Sequence, residues 1–317
     1  MTARFTVLAS GSSGNATLLE VNGFGLLIDC GLHAKELTAR LAAIGATWDR
    51  VHAVVLSHTH TDHWNGRSLA QLRSRRIPLY AHQAHLDYLD NASPSLAPLH
   101  RAKLTHTYTG DSILDLAPGL TGRPVWVSHD SEPTFGFRFD FQDEAGDGPA
   151  WSIGYAADLG CASEELVEAF AGVDVLAIEY NHDEKMERAS QRPKFLIQRV
   201  LSDQGHLSNR QAADLTRVIA ARSGPMFPRH LVQLHLSDEC NDPLLAESVG
   251  RNALADLNPA ASVTTAKQDV PSRGISLCRH VHSARRRDPR PVPIPSRLTA
   301  AAPRNQRVPV LPGFEKR

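Results

Sequence analysis

The stretch Ala53-Val54-Val55-Leu56-Ser57-His58-Thr59-His60-Thr61-Asp62-His63 decides how this chain is read. Its first four residues are an apolar, β-branched run of the kind that forms a buried strand. Three imidazoles and a carboxylate follow within six residues. Divalent metals such as Zn²⁺ and Mn²⁺ take imidazole nitrogen and carboxylate oxygen as ligands. On a helix His58 and His60 would point to different sides, whereas on a loop leaving a strand they can converge. Ser57, Thr59 and Thr61 are small enough not to obstruct that convergence. The run is therefore expected to be a metal-binding loop at the end of a buried strand.

Working outward, Phe5–Ala9, Thr17–Val21 and Phe24–Ile28 read as short strands. They are separated by the Gly-rich loop Ser10–Asn15 and by Asn22-Gly23, a hairpin signal. Lys35–Ile44 has helical periodicity and stops at Gly45. Phe135, Phe137, Phe139 and Phe141 recur with a period of two, so one face of that strand is entirely aromatic and belongs to the core. Trp151–Ala156, Val173–Ile178 and Leu231–Leu236 are further strands, and Glu164–Phe170 is helix-like. Ser208-Asn209-Arg210-Gln211 fits a capping box opening a helix to about Ala221. His129 follows the strand-like Pro124–Val127, Asp158 follows Ile153–Ala156, and His235 lies at the end of Leu231–Leu234. Candidate ligands at so many strand exits predict an α/β sandwich with one site at the strand ends.

A formal net charge of zero, from 34 basic and 34 acidic residues, hides an asymmetry. Residues 271–317 carry 11 Lys or Arg against 2 acids, which leaves 23 basic and 32 acidic residues in 1–270, a net of −9. The expected division is a hydrolase domain over 1–267 and a Pro/Arg-rich tail over 268–317, including Arg285-Arg286-Arg287-Asp288-Pro289-Arg290. That tail has too little apolar content to order itself and is expected to be disordered. It reads either as a nucleic-acid-binding arm or as a dispensable extension. The four cysteines are scattered without a C-x-x-C pair, and Cys30 and Cys161 are expected to be small buried residues. No apolar run is long enough to span a bilayer. The N-terminus leads into a strand rather than a signal peptide, so a cytoplasmic protein with no membrane partner is expected.

The run His58–His63 resembles the metal loop of the metallo-β-lactamase superfamily. Leu8-Ala9-Ser10-Gly11-Ser12-Ser13-Gly14-Asn15 is similar to the N-terminal loop of its YycJ/WalJ branch, described as metal-dependent DNA exonucleases. Val127–Asp130, Glu179–Asp183, Ser202–His206 and Leu234–Ser237 resemble the same branch, over roughly residues 4 to 260. The resemblance implies an αββα sandwich. It also implies that His58, His60 and His129 bind one metal, that Asp62, His63 and His235 bind a second, and that Asp158 bridges them. Around Asp158 the chain has Ala157 and Leu159 where the branch carries hydroxylated residues, so hydrogen bonding behind that ligand is expected to differ.

Two such metals would share a bridging water, deliver it as hydroxide at neutral pH and neutralise charge on a scissile phosphoryl group. Asp62 is expected to orient that hydroxide, and His206 is a further catalytic candidate, with loop orientation, phosphate contact and proton donation to a leaving oxygen all open to it. Ser12, Asn15 and His182 are the expected substrate contacts. The Gly-rich loop lacks the Gly-Lys-[Ser/Thr] ending of a P-loop, and no serine sits in a G-x-S-x-G elbow. The resemblance implies a DNA substrate. The acidic body, poor in the Lys and Arg that bind phosphates, keeps open a small-molecule phosphodiesterase, thioesterase or lactonase of the same fold. The oligomeric state stays open.

Overall fold

The computed structural model describes residues 3–131, 133–143, 149–278, 293–296 and 298. The first half of the chain runs through β1 (Ala3–Ala9), β2 (Ala16–Val21), β3 (Phe24–Ile28), α1 (Ala34–Ala43), β4 (Ala53–Val55), α2 (Gly66–Arg75), β5 (Leu79–His82), α3 (Gln83–Ala92), α4 (Leu96–Arg101) and β6 (Thr105–Tyr108). The second runs through β7 (Leu114–Ala117), β8 (Leu120–Val127), β9 (Thr134–Phe141), β10 (Trp151–Ala156), α5 (Glu164–Phe170) and β11 (Val175–Glu179). It continues through α6 (Glu184–Ala189), α7 (Lys194–Val200), α8 (Asn209–Ser223), β12 (His230–Leu234), α9 (Pro243–Leu254) and β13 (Ser262–Thr265) before β14 (Ile275–Leu277) returns to the first sheet.

The strands form two seven-stranded sheets, ordered β14-β1-β2-β3-β4-β5-β6 and β13-β12-β11-β10-β9-β8-β7. In each, an antiparallel half passes into a parallel half, at β3/β4 and at β10/β11. The apolar residues explain the layering. Phe5, Leu19 and Ile28 of one sheet meet Phe135, Phe137, Phe139, Phe141 and Tyr155 of the other in a central core. Leu18, Leu27 and Val54 face outward against Leu37, Leu41, Leu69 and Leu72 of α1 and α2. Leu176, Ile178 and Leu231 face outward against Leu166, Phe170, Leu215 and Ile219 of α5 and α8. Sheets apolar on both faces must be covered on both, and the result is the expected αββα sandwich. Among the described residues no helix is long and apolar enough to cross a membrane.

Local chemistry behaves as the sequence predicts. Asn22 and Gly23 take positive φ, 48° and 91°, as a tight hairpin turn requires. The Ser208 hydroxyl accepts from Gln211 N while the Gln211 side chain accepts from Ser208 N, closing the capping box of α8. Cys30 and Cys161 are buried, as is Cys240.

The boundary at 267 needs correction. Gln268 accepts from Ser13 N at 3.0 Å and donates to Gly14 O at 2.9 Å. Then β14 pairs antiparallel with β1, Ala3 opposite Leu277 and Phe5 opposite Ile275. Leu277 is buried in the central core. Leu298 is buried beside α5 and α8, and its carbonyl accepts from Ala162 N at 2.8 Å. A three-residue strand is too short to show a period, and single leucines in a Pro/Arg-rich stretch give no local signal. The Arg285–Arg290 run lies outside the described residues.

Candidate metal centre

The candidate residues leave the two sheets at one edge, as ligand-bearing loops do in open α/β sheets. Asp29 follows β3, Ser57 and the histidine run follow β4, His129 follows β8, Asp158 follows β10, Glu179 ends β11 and His235 follows β12. Their potential ligand atoms fall into overlapping groups, each within 4.8 Å: His58, His60 and His129; His58, His63 and Asp158; Asp62, His63 and His235; and Asp158, Glu179, His206 and His235. Asp158 stands between the groups. Its Oδ2 lies 2.8 Å from His63 Nε2 and 4.0 Å from His58 Nε2. Its Oδ1 lies 3.3 Å from His235 Nδ1 and 3.8 Å from His129 Nε2.

Each imidazole is held from behind. His63 Nδ1 faces the buried Asp29 carboxylate at 2.8 Å, and His58 Nδ1 faces Ser57 Oγ at 3.0 Å. His129 Nδ1 donates to Gly205 O at 2.9 Å, which leaves its Nε2 turned to His60 Nδ1 at 3.1 Å. Carboxylate or carbonyl partners of this kind fix the tautomer and aim the free nitrogen. The His235 backbone sits at φ 53°, in the left-handed region that non-glycine residues rarely adopt. It is kept there by Ser10 Oγ, which accepts from His235 N at 2.8 Å, and by Asn181 Nδ2, which donates to His235 O at 2.8 Å.

The charges are balanced inside the cluster. Burial drives His58 well below its ordinary value and His129 down to about 4, so both are neutral and ready to donate a lone pair. Burial also opposes the charged forms of His63 and His235, but the surrounding carboxylates, Asp158 foremost, outweigh it and hold both well above. Asp62 and Asp158 are opposed by burial in the same way, and the imidazolium neighbours keep them well below the usual carboxylate range. Protons thus occupy the positions that a cation would take, and metal binding must release them.

A divalent cation fits this donor set. His58 Nε2 is buried and makes no hydrogen bond, and Asp158 Oδ2, 4.0 Å from it, is met by the His63 imidazolium at 2.8 Å. A buried polar atom left without a partner costs about 1–3 kcal/mol, and one cation would serve both atoms. Donors about 2.0–2.2 Å from a metal sit roughly 3–4 Å from one another. The 3.1 Å between His129 Nε2 and His60 Nδ1, and the 3.1 Å between His235 Nε2 and Asp62 Oδ2, lie in that range.

The other expected site residues divide. His206 joins the cluster, its Nδ1 2.7 Å from Glu179 Oε1. Asn15 is close to the metal loop but buried: its Nδ2 donates to Asp62 Oδ2 at 3.1 Å and lies 3.0 Å from His63 Nε2, while its Oδ1 accepts from Gly11 N. It faces the ligands rather than open solvent. Ser12 is exposed on the same loop. His182 is fully buried against Asn181 and belongs to none of the groups, so it offers no surface to a substrate. His52, His100 and His106 also stay outside them.

Sequence reasoning missed three carboxylates. Asp29 and Glu179 are wholly buried at strand ends, and Glu179 accepts from Leu159 N and Leu207 N as well as facing His206 and His235. Asp130 lies 3.2 Å from His60 Nε2 and pairs with Arg199. The signal for the first two was available, since each is an acid closing an apolar strand, as Asp158 nearly does.

A family model for the beta-lactamase superfamily domain matches residues 25–231. The exodeoxyribonuclease WalJ of Streptococcus pneumoniae is 30% identical over 267 residues, 82% of this chain and 91% of that protein. The exodeoxyribonuclease YycJ of Bacillus anthracis is 27% identical over 248 residues, 78% of this chain and 87% of that protein. Among solved structures, the metallo-beta-lactamase fold protein YhfI from Bacillus subtilis has a TM-score of 0.61 at 17% identity, covering 87% of this chain and 100% of that one. With its strand-end histidines, its two sandwiched sheets and these relatives, the chain belongs to the metallo-β-lactamase superfamily and resembles the WalJ and YycJ branch within it.

Proposed function

We propose that the chain is a cytoplasmic, metal-dependent hydrolase that cleaves phosphodiester bonds in DNA from an end, using two divalent cations, Zn²⁺ or Mn²⁺. The observation that carries this reading is the pairing of a three-imidazole group, His58, His60 and His129, with an Asp62–His63–His235 group across Asp158. The exodeoxyribonuclease relatives support the substrate.

In this reading the two groups would each hold a cation, with Asp158 between them a further carboxylate donor. Cations bound there would lower the pKa of water and neutralise charge on a phosphoryl oxygen. The chain's own residues do the rest. Asn15 fixes the Asp62 carboxylate, which stays partly open to the site and is placed to accept a proton from the attacking water. His206 has Nδ1 committed to Glu179, and burial, which opposes its charged form, is outweighed by Glu179 and Asp158, so its proton affinity is raised. Its Nε2 is left to hold a proton for the leaving oxygen. Glu179 positions His206 and His235 together.

Purified protein supplied with Mn²⁺ or Zn²⁺ is expected to degrade linear duplex DNA and to spare covalently closed circles, and an Asp62→Ala/His63→Ala variant should leave both intact. Bound metal near two equivalents is expected. Intact linear DNA across a metal series, alongside fast turnover of a chromogenic phosphodiester or thioester, would overturn the DNA assignment and leave a small-molecule hydrolase.

A further inference from the structure

The body of the chain is acidic, yet one part of its surface beside the candidate site is not. Residues 184–200 contain five basic side chains, Lys185, Arg188, Arg192, Lys194 and Arg199, against two acids, Glu184 and Glu187. They form α6, α7 and the turn between them. Asp183 caps α6 by accepting from Lys185 N and Met186 N.

This pair of short helices is tied to the ligand loops at its C-terminal end and at the turn between the two helices. Arg199 pairs with Asp130, which faces His60. Arg192 reaches Glu187 at 3.1 Å, Glu239 at 2.8 Å and the Ser237 hydroxyl at 3.3 Å, two residues beyond His235. Arg192 and Glu187 pair with each other and with the ligand-loop side, while Lys185, Arg188 and Lys194 of the same segment are exposed and have no ion-pair partner among the described residues. On the same two helices Phe195, next in sequence to Lys194, is 59% exposed and Met186 36%. An exposed phenylalanine in so basic a segment would be a poor choice for a solvent face alone. Bases stack on exposed aromatic rings while basic side chains track the phosphates of a single strand.

We propose that the α6–α7 face is the docking platform for a single DNA strand leading into the metal site, with Phe195 stacking on a base and Lys185, Arg188 and Lys194 holding backbone phosphates. The proposal rests on the nuclease reading above and names the surface through which the acidic body of the chain would engage a polyanion. The pinning by Arg199 and Arg192 gives the platform a fixed position relative to His60 and His235.

The test uses the full chain loaded with Mn²⁺ and a fluorescent, cleavage-resistant phosphorothioate oligodeoxynucleotide, with affinity measured from low to moderate salt. A Lys185→Ala/Arg188→Ala/Lys194→Ala variant is expected to lose at least about 30-fold in affinity. Its log–log salt slope should shrink by about 2, the change for three phosphate contacts on a single strand. Phe195→Ala is expected to lose about ten-fold, with the slope unchanged. Lys185→Arg/Lys194→Arg should retain binding. Turnover of bis(p-nitrophenyl) phosphate should be the same in all of them, showing an intact site. Unaltered affinity and slope in the triple variant would overturn the platform while leaving nuclease activity in place. If instead wild-type protein turns over the small diester but neither binds nor cleaves DNA, the nuclease reading itself falls. A dimer that Phe195→Ala converts to monomer, with DNA affinity retained, would assign the face to a second copy and also overturn the proposal.

Discussion

Asp29 Oδ2 lies 2.8 Å from His63 Nδ1, and both side chains are wholly buried. The same carboxylate accepts from Ser57 N at 2.8 Å and from the Ser57 hydroxyl at 2.8 Å, and that hydroxyl lies 3.0 Å from His58 Nδ1. One acid therefore sets the orientation of two imidazoles at once. Asp29 sits at φ 60°, a conformation asparagine also tolerates, so Asp29→Asn changes the charge and leaves the backbone unstrained. The variant is expected to bind metal about 10–100-fold more weakly while keeping its far-ultraviolet spectrum. Competition against a chromogenic chelator measures this. Wild-type affinity in the variant would mean that Asp29 only fills space.

Gly31 gives the metal loop its depth. A Cβ there would fall 1.7 Å from Asp62 O and 2.9 Å from His63 N. The requirement is one of room rather than of backbone angle. Around it the chain is stitched by Gly31 N to Asn15 O at 2.9 Å, Cys30 N to His63 O at 3.0 Å and Asn15 N to Asp62 O at 2.7 Å. Gly31→Ala must push Asp62 and His63 outward. The expected cost is about 3 kcal/mol of stability, with a fall in metal affinity of ten-fold or more. Denaturant unfolding read with and without metal separates the two effects, and a shortfall in both would refute the account.

Locality decides how much of the site is legible in the sequence. His58 to His63 can be read because the ligands are contiguous and a buried-type strand precedes them. The aromatic face of β9 can be read because its period persists through four phenylalanines. His129, Asp158 and His235 gain meaning only as a set at strand exits. Asp29 and Glu179 show in the sequence only as acids closing apolar strands; their roles do not, because their partners lie 34 and 27 positions away and only the fold brings them together. Gly31 is silent for the same reason, since its neighbour across the loop is backbone. Asn15 reads as a substrate contact from its loop; its actual partners, Asp62 and His63, belong to the neighbouring metal loop of the same sheet.

Outside the cluster, His85 gives the protein an acid sensitivity of its own. Its Nε2 lies 2.7 Å from Pro133 O and its Nδ1 accepts from His82 N, so the neutral tautomer is satisfied at both nitrogens. Burial pushes its pKa down to about 4. Because the folded value lies below the unfolded one of about 6.5, the unfolded chain takes up the proton first as pH falls. Stability is full above pH about 6.5 and is lost between there and about 4. From pH 7.5 to pH 5 the wild type should therefore lose about 2 kcal/mol more than His85→Gln, which retains a donor to Pro133. Urea titrations of metal-free protein at the two pH values give the double difference, in which the cluster histidines cancel. A difference near zero would contradict the burial argument.

Beyond residue 267, β14 and Leu298 attach to the domain, and the two attachments should be separable. A chain ending at Val270 loses β14, exposing Phe5 and its neighbours at the edge of β1 and removing Leu277 from the central core. A chain ending at Cys278 keeps that strand and loses only the residues after it, among them Leu298 over α5 and α8. Burying one leucine contributes roughly 1.5–3 kcal/mol, and a domain of this size shifts its melting temperature by about 2–4 °C per kcal/mol. The longer truncation product is expected to melt about 3–12 °C below the full chain. The shorter one should melt lower still and aggregate through its newly unpaired edge, because an open row of backbone donors and acceptors is a template for another strand. Scanning calorimetry with light scattering on the three proteins decides it. Equal melting of the two truncated chains would show that β14 contributes nothing to the sheet it completes.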